Sequence, residues 1–382
     1  MNNEPRVKIG ITGQAGFVGT YLYNELGLEP KKYKRIHFED YYFTHYDMLR
    51  AFVRQCDVII HLAAVNRHSD LNELYKTNVE LVTLLIEALE QENVRPHIIF
   101  SSSIQEGLDN PYGKSKLEGR KLFEKWAQEK HASFTGMIVP NIFGPFGFPN
   151  YNSFVATFCY KLTHNEVPEV IVDNEVSLIY VGSFCKQILS DIDGMNKFDS
   201  SSIIKKQIMP DFTKKVSEIL RLLYIFKEQY FKCGIIPAVM NDNELNLFNT
   251  FRSYIDIDKY FPFLLRRNMD ERGAFVETIR LEMGGQVSFS TTNLGVTRGN
   301  HYHTRKIERL IVIKGKAKVQ LRKVGSEQIH ELYLDGQNPS YVDIPVWFSH
   351  NITNIGDEEL YTQFWINEWY NEANPDTFFE KV

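Results

Sequence analysis

The chain predicts an α/β fold followed by an antiparallel β domain, and three observations carry that prediction. The first half alternates short apolar runs with longer helical patterns, as crossover units and a doubly wound parallel sheet require. After about residue 247 the helical periodicity fades, and residues 273 to 366 show short alternating runs divided by turn residues, as in a sandwich or barrel. The length, 382 residues, suits two domains of ordinary size.

The first strand is Val7 to Thr12, and a helix opens at Phe17. Lys34 to Phe38 reads as the second strand, and a helical pattern then runs to about Gln55. Asp57 to Ala64 is apolar almost throughout, as a strand covered on both faces should be, with Val58 to Leu62 at its centre. A long helical stretch, about Asn72 to Gln91, leads to a fourth strand at His97 to Ser101, and another helix begins near Pro111. The later runs are Gln286 to Ser290, Arg309 to Lys314, Lys316 to Arg322 and Leu360 to Ile366. These changes of texture divide the chain into residues 1–245, a connector at 246–265, and residues 266–382. There is no internal repeat and no low-complexity tract.

Composition excludes several classes. With 43% hydrophobic and 24% charged residues the chain reads as folded. The net charge is −5 and no basic stripe stands out, so nucleic acid is not an expected partner. No run approaches a membrane helix and the first residues lack a signal-peptide core, so no membrane and a cytoplasmic location are expected. Cys56, Cys159, Cys185 and Cys233 are scattered without a CxxC pair and read as small buried hydrophobes rather than disulfides.

Gly13-Gln-Ala-Gly16-Phe-Val-Gly19 follows the first strand and opens the first helix. A phosphate placed there meets backbone N–H groups and the positive end of a helix dipole, while glycines permit close approach. An acid after the second strand suits the ribose hydroxyl of NAD, whereas an Arg suits the extra phosphate of NADP. Glu39 and Asp40 lie at that place, and Glu39 is taken as the cofactor contact.

Ser101-Ser102-Ser103 ends the fourth strand, and Tyr112 and Lys116 are four apart on the helix that follows. The lysine's charge favours tyrosinate and is expected to lower the phenol pKa. Ser103 would hydrogen-bond the substrate oxygen. Together these three are acid/base equipment for interconverting a carbonyl and an alcohol beside a nicotinamide.

Those motifs, with His61-Leu-Ala-Ala64, Asn78-Val79 and Pro140-Asn-Ile-Phe-Gly-Pro145, resemble the extended short-chain dehydrogenase/reductase family over residues 7 to 245. The resemblance implies a Rossmann-type domain acting on nucleotide sugars, with Gly13, Gly16, Phe17, Gly19, Ala63, Asn78, Tyr112 and Lys116 against the cofactor. It departs at Ser177 to Ser183, where the family's usual Arg and later Asp are missing, which leaves the sugar-nucleotide contacts there in question.

In the second half, His301 and His303 sit two apart on a predicted strand and so share a face. Glu308 and His350 are expected from neighbouring strands, pointing into the same barrel mouth. Three imidazoles and a carboxylate suit Zn, Fe, Mn or Ni. The spacings, from Gly295 through Gly315 and from Pro345 to Asn354, resemble the two cupin motifs, with Trp347 where a glycine is usual. That implies an all-β jelly roll, and a tryptophan that narrows the pocket or walls it. Asp270 to Phe275, Gln286 and Thr297 to His301 also resemble cupin-type deoxysugar epimerases, which gives His301 two rival roles, metal ligand or proton-abstracting base. Lys306 is an alternative base.

Over nearly its whole length the chain resembles the bifunctional capsular-polysaccharide reductase/3-epimerases, in which an extended reductase is fused to a cupin. The matching stretches include Val65-Asn-Arg67, Ser101 to Gln105, Asp109 to Gly113, Pro149 to Ser153, Ala156 to Tyr160 and Pro375-Asp-Thr377. The resemblance implies C3 epimerisation of a UDP-4-keto-6-deoxy-N-acetylhexosamine by the cupin half and reduction of the C4 ketone by the other. NADP(H) is the implied cofactor, against the lean of the acidic pair toward NAD(H), and zinc or another divalent transition metal is implied for the cupin. Asn66, Arg67, Asn141, Tyr151, Asn152 and Ser153 are the candidate substrate contacts. A dimer or tetramer is expected by analogy. The rival reading is a simple 4-reductase or 4-epimerase whose cupin only holds a metal or builds a dimer.

Overall fold

The computed structural model describes residues 6–151, 153–194, 201–271 and 273–382. By packing, the chain separates into two units, Met1–Thr157 with Asn174–Lys215, and Phe158–Asp173 with Val216–Val382.

The first unit contains β1 (Val7–Thr12), α1 (Phe17–Gly27), β2 (Tyr33–Ile36), α2 (Tyr46–Val53), β3 (Val58–His61), α3 (Leu71–Gln91), β4 (His97–Ser103) and α4 (Pro111–Lys130). After these come β5 (Phe134–Val139), β6 (Asn141–Phe143), the start of α5 (Phe154–Thr163), β7 (Glu175–Tyr180), α6 (Val181–Gly194), β8 (Ile203–Gln207) and β9 (Phe212–Lys215). Six strands pair in parallel in the order β2-β1-β3-β4-β5-β8, the doubly wound sheet expected from the alternating pattern. The winding reverses between β1 and β3, which opens a crevice at their carboxyl ends. All four residues of β3 are buried, as its unbroken apolar run requires. β2 is shorter than expected and stops at Ile36. Phe38 instead turns inward against Phe43 and Phe52, with ring centroids 5.4 and 4.8 Å away. The core lies between the sheet and α2, α3 and α4, around Leu49, Phe52, Leu85, Phe100 and Phe123. Each such side chain contributes roughly 1.5–3 kcal/mol by leaving water.

The start of α4 is set locally. Asn110 caps it by accepting the Gly113 N–H at 2.7 Å, and Pro111 occupies the first turn, where a missing N–H costs nothing.

The second unit contains α7 (Val216–Phe226), β10 (Ile235–Ile236), α8 (Asp242–Arg252) and α9 (Ile257–Tyr260). The short strands β11 (Phe263–Leu264), β12 (Arg267–Asp270), β13 (Gly273–Val276) and β14 (Arg280–Leu281) follow. The larger strands are β15 (Gln286–Thr292), β16 (Thr297–Tyr302), β17 (Glu308–Lys314), β18 (Lys316–Lys323), β19 (Ile329–Asp335), β20 (Ser340–Ile344), β21 (Phe348–Asn354) and β22 (Leu360–Ile366), with a last β23 (Phe378–Phe379). They form two five-stranded antiparallel sheets, β11-β20-β17-β22-β15 and β19-β18-β21-β16-β23. In the segment expected as a connector, α8 packs Phe248 against Phe226 and Tyr230 at centroid distances of 5.0 and 5.1 Å. Tyr230 in turn donates to Asp343 at 2.8 Å, and Asp343 accepts two bonds from buried Arg309, at 2.7 and 2.8 Å.

Three of the four cysteines are buried as expected, but Cys233 is exposed, a correction to the reading of all four as core residues. Among the described residues no helix is long and apolar enough to cross a membrane.

Candidate functional site

In the first unit a cavity of ≈ 750 Å³ opens at the switch point of the sheet. Its floor is the turn from β1 to α1. Gly13 has φ 70°, and a Cβ there would lie 2.8 Å from the Ala63 backbone N. At Gly19 a Cβ would lie 2.2 Å from the Gly13 carbonyl oxygen, so the third glycine is what lets helix and turn close up. Gly16 caps α1 without a side chain, which leaves the first-turn N–H groups for an anion. Gly13, Gly16, Phe17, Gly19 and Ala63 all line the cavity.

Of the acidic pair, Asp40 rather than Glu39 faces the cavity. Asp40 lines the cavity and burial raises its carboxyl pKa. Glu39 is exposed and lies 2.9 Å from His37 Nε2. The two are adjacent in sequence, and only the turn that begins at Asp40 decides which one faces inward. Asn78 does not line the cavity either. Its carboxamide accepts from Val65 N at 2.7 Å and donates to Val65 O at 3.0 Å and to Ser115 Oγ at 3.1 Å, so it fixes the loop after β3 against α4.

Ser103, Tyr112 and Lys116 meet on the same cavity. Lys116 Nζ donates to the Ser101 carbonyl at 2.8 Å and lies 4.9 Å from the Phe100 ring centroid and 5.9 Å from that of Tyr112. The expected acidification of Tyr112 is reversed. Burial, with Tyr151 adding to it, pushes the phenol up to about 12, and burial pushes Lys116 down to about 8 against the pull of Glu106. Desolvation disfavours both charged forms, and it outweighs the attraction that spacing alone predicts. Tyr112 is therefore a protonated phenol, suited to give a proton.

Of the substrate candidates, Asn66, Arg67, Asn141, Tyr151 and Ser153 line this cavity, and Asn152 lies outside the described residues. Ser153 also caps α5, its Oγ accepting the Ala156 N–H at 3.3 Å. Where an Arg is usual, Ser177 pairs with Thr213 at 2.9 Å, and it is not part of the cavity wall.

In the second unit the donor atoms of His301, His303, Glu308 and His350 all lie within 4.8 Å of one another. His301 and His350 are cross-strand partners on β16 and β21. Glu308 does not come from a neighbouring strand as expected. It starts β17, in the other sheet, so the cluster draws on both sheets. His303 Nε2 is 2.8 Å and His350 Nε2 is 3.5 Å from Glu308 Oε2. Burial works against charge on both His303 and Glu308, yet their mutual bond keeps the imidazole raised and the carboxyl well below its usual range. Burial lowers His301 to about 4. His303 Nδ1–H is committed to the Asp376 carbonyl at 2.5 Å, so Nε2 meets the carboxylate as a lone pair unless a proton or a cation lies between. That need, together with three imidazoles and a buried carboxylate, fits a divalent transition metal.

Trp347 is fully buried. Its φ of 63° explains why glycine is usual there, and its ring stacks on Tyr302 at 5.6 Å. Lys306 is also buried, its ammonium donating to the Pro375 carbonyl and 3.8 Å from Glu368. Asp376 was not singled out in the sequence as a site residue, because it reaches the cluster only through tertiary contact. Glu106 and Arg120 were missed too, although Arg120 lies four residues beyond Lys116 on the same helical face.

Residues 9–189 match the NAD dependent epimerase/dehydratase family, and residues 268–378 match the polysaccharide biosynthesis C-terminal domain. The chain is 32% identical over 379 residues to the UDP-2-acetamido-2,6-beta-L-arabino-hexul-4-ose reductase of Pseudomonas aeruginosa, covering 97% of this chain and 98% of that one. The crystal structure of the capsular polysaccharide assembling protein CapF from Staphylococcus aureus is similar at a TM-score of 0.62 and 34% identity, over 98% of this chain and 100% of CapF. A UDP-glucose 4-epimerase from Thermotoga maritima shares the fold at a TM-score of 0.54 and 18% identity, over 65% of this chain and 98% of its own.

Proposed function

The chain belongs to the family of the UDP-2-acetamido-2,6-beta-L-arabino-hexul-4-ose reductase, and from that premise we propose that it carries two activities on one nucleotide sugar. It is a nicotinamide-dependent nucleotide-sugar oxidoreductase of polysaccharide biosynthesis. In the finer reading the first unit reduces the C4 ketone of a UDP-4-keto-6-deoxy-N-acetylhexosamine, and the second epimerises C3 of the same sugar.

The observation that carries the reduction is the meeting of Ser103, Tyr112 and Lys116 on the cavity that also holds the glycine turn. A reduced nicotinamide bound there supplies the hydride. Tyr112, protonated at working pH, donates the proton to the C4 oxygen, and Ser103 hydrogen-bonds that oxygen as its charge develops. Lys116 then restores the charge balance beside the phenolate. NADP(H) is implied by the family resemblance, whereas Asp40 is the type of contact a ribose hydroxyl takes. Comparing kcat/KM for NADH and NADPH decides between them.

For C3, the ketone acidifies the neighbouring hydrogen and a base removes it. His301, His303, Glu308 and His350 would hold the cation, zinc being favoured by the nitrogen-rich set. When bound, it supplies Lewis acidity to a developing oxyanion. His301 is the base or a fourth ligand, and Lys306 the alternative base. Unpaired buried Cys56, Cys159 and Cys185 suit a reducing cytoplasm. Exposed Val287 and Phe289 on the sheet-edge strand β15 suit self-assembly.

The test is incubation with the UDP-4-keto sugar in deuterated water, read by NMR. Deuterium at C3 without nicotinamide, followed by a reduced C4 when NADPH or NADH is added, is the expected result. No exchange in zinc-replete protein would make the second unit a structural module, and no reduction would overturn the whole reading.

A further inference from the structure

Helix α4 carries Tyr112, Lys116 and Arg120 at intervals of four, so their side chains share one face. Arg120 closes on Glu106, in the short turn that follows Ser103. Its Nε donates to Oε1 and Oε2 at 2.8 and 3.2 Å, and Nη2 donates to Oε2 at 2.8 Å. Nη1 is taken by Glu124, and the Ser102 hydroxyl donates to Glu106 Oε1. The pair is buried, with side chains 7% and 10% exposed.

The surroundings are shaped to admit this clamp. A Cβ at Gly136 on β5 would lie 2.7 Å from Arg120 Cδ, so the glycine leaves the space the arginine stem fills. A Cβ at Gly113 would lie 2.0 Å from the Gln105 carbonyl oxygen, which presses turn and helix together. Buried ion pairs are often no better for stability than apolar side chains of the same size. One that joins a serine-bearing turn to the proton-donating helix therefore calls for a functional reason.

We propose that Glu106 is a positioning residue for the reduction: clamped by Arg120 and Ser102, its carboxylate fixes the turn beside Ser103 and is the counter-charge that keeps Lys116 an ammonium next to Tyr112. The inference rests on the reading of Tyr112 and Lys116 as the proton-donating pair. Lys116 is faced by Tyr112 and Arg120 from its own helix, by the Ser101 carbonyl and the Phe100 ring from β4, and by buried, neutral His61 from β3. None of these groups is an anion, and the carboxylate that acts on Lys116 is Glu106, in the turn clamped by Arg120. Burial lowers Lys116 to about 8 and Glu106 opposes it. Burial works against charge on Glu106, yet the bonds from Arg120 and Ser102, with the charges of Arg120 and of Lys205 on β8, hold its carboxyl below the usual range.

The experiment is the pH profile of kcat for reduction of UDP-2-acetamido-2,6-dideoxy-β-L-arabino-hexul-4-ose by NADPH or NADH. In the unaltered protein, activity falls on the alkaline side as Lys116 loses its proton. Glu106→Gln, which keeps shape and removes charge, moves that limb to lower pH by about one pH unit. Arg120→Gln removes a cation and leaves the carboxylate, so its limb moves to higher pH. That opposite displacement keeps the test decisive should Glu106→Gln fail to fold. A limb that stays in place in either variant, with only the melting temperature lowered, overturns the proposal, because a purely structural pair would do that. Tyr112→Phe is measured beside them. If it stays fully active, the underlying reading fails; if it is inactive and the limbs are unmoved, this inference alone fails.

Discussion

Asp376 and His303 lie 73 residues apart in sequence and share one hydrogen bond, from His303 Nδ1 to the Asp376 carbonyl at 2.5 Å. The same aspartate folds its carboxylate back on the loop that follows His303. Oδ1 accepts from Thr304 N at 3.0 Å and from its hydroxyl at 2.6 Å, and Oδ2 accepts from Arg305 N at 3.1 Å and Lys306 N at 3.0 Å. A C-terminal residue thus sets both the tautomer of a candidate ligand and the shape of the loop behind it.

Removing that carboxylate should loosen the cluster without touching any ligand. Asp376→Asn keeps the backbone carbonyl and one acceptor oxygen but turns the other oxygen into an NH2 donor facing backbone N–H groups. Zinc affinity, measured by equilibrium dialysis, should fall by about 10–100-fold. Unchanged affinity would show that the loop holds its shape without Asp376.

Tyr112→Phe should remove the proton donor and little else. Reduction should slow by about 10²–10⁴-fold while cofactor binding, followed by fluorescence, stays within a factor of two. Solvent exchange at C3 should persist, because that chemistry is assigned to other residues.

Asp40→Asn should shift the cofactor preference. An anion at that place repels a ribose phosphate, so its loss should raise the kcat/KM ratio of NADPH to NADH by about tenfold. A ratio that does not move would remove Asp40 from the cofactor site.

Acid should destabilise the first unit through two histidines. Burial lowers His61 to about 3 and His97 to about 4, from an ordinary 6.5. His61 lies 2.9 Å from Thr12 Oγ1, and His97 is held by Ser133 and Thr135 at 2.8 and 3.1 Å. Both are neutral when folded and protonated when unfolded between those limits, so the unfolded chain binds more protons and stability falls as pH drops below 6.5. By pH 4.5 each should cost about 2–3 kcal/mol. Urea midpoints at pH 7 and pH 4.5 check this, and His97→Gln should flatten the slope.

Local pattern made much of this molecule legible. The glycine turn, the Tyr112–Lys116 spacing and the pair of His301, on β16, with His303, just past its end, are all short-range features, and the structure brings each into a candidate site. The alternating texture gave the parallel sheet, and the short runs after it the antiparallel ones, because periodicity reports which face is buried. Features that depend on remote neighbours were lost. Asp40 rather than Glu39 faces the cavity because of one turn, and Cys233 is exposed where its type predicted burial. Glu308 reaches its partners from the opposite sheet, a crossing that no spacing encodes.

The sequence by itself determined which side chains are available: a phenol and an amine on one helical face, three imidazoles and a carboxylate within one β domain. Only the tertiary structure decided what state they are in. It placed Tyr112 and Lys116 in a buried wall where desolvation outweighs their attraction, and it set Asp376 behind His303 and closed Arg120 on Glu106. The physical reason is that spacing fixes distance along an element, whereas proton affinity depends on how much water and which charges the rest of the fold leaves around the group.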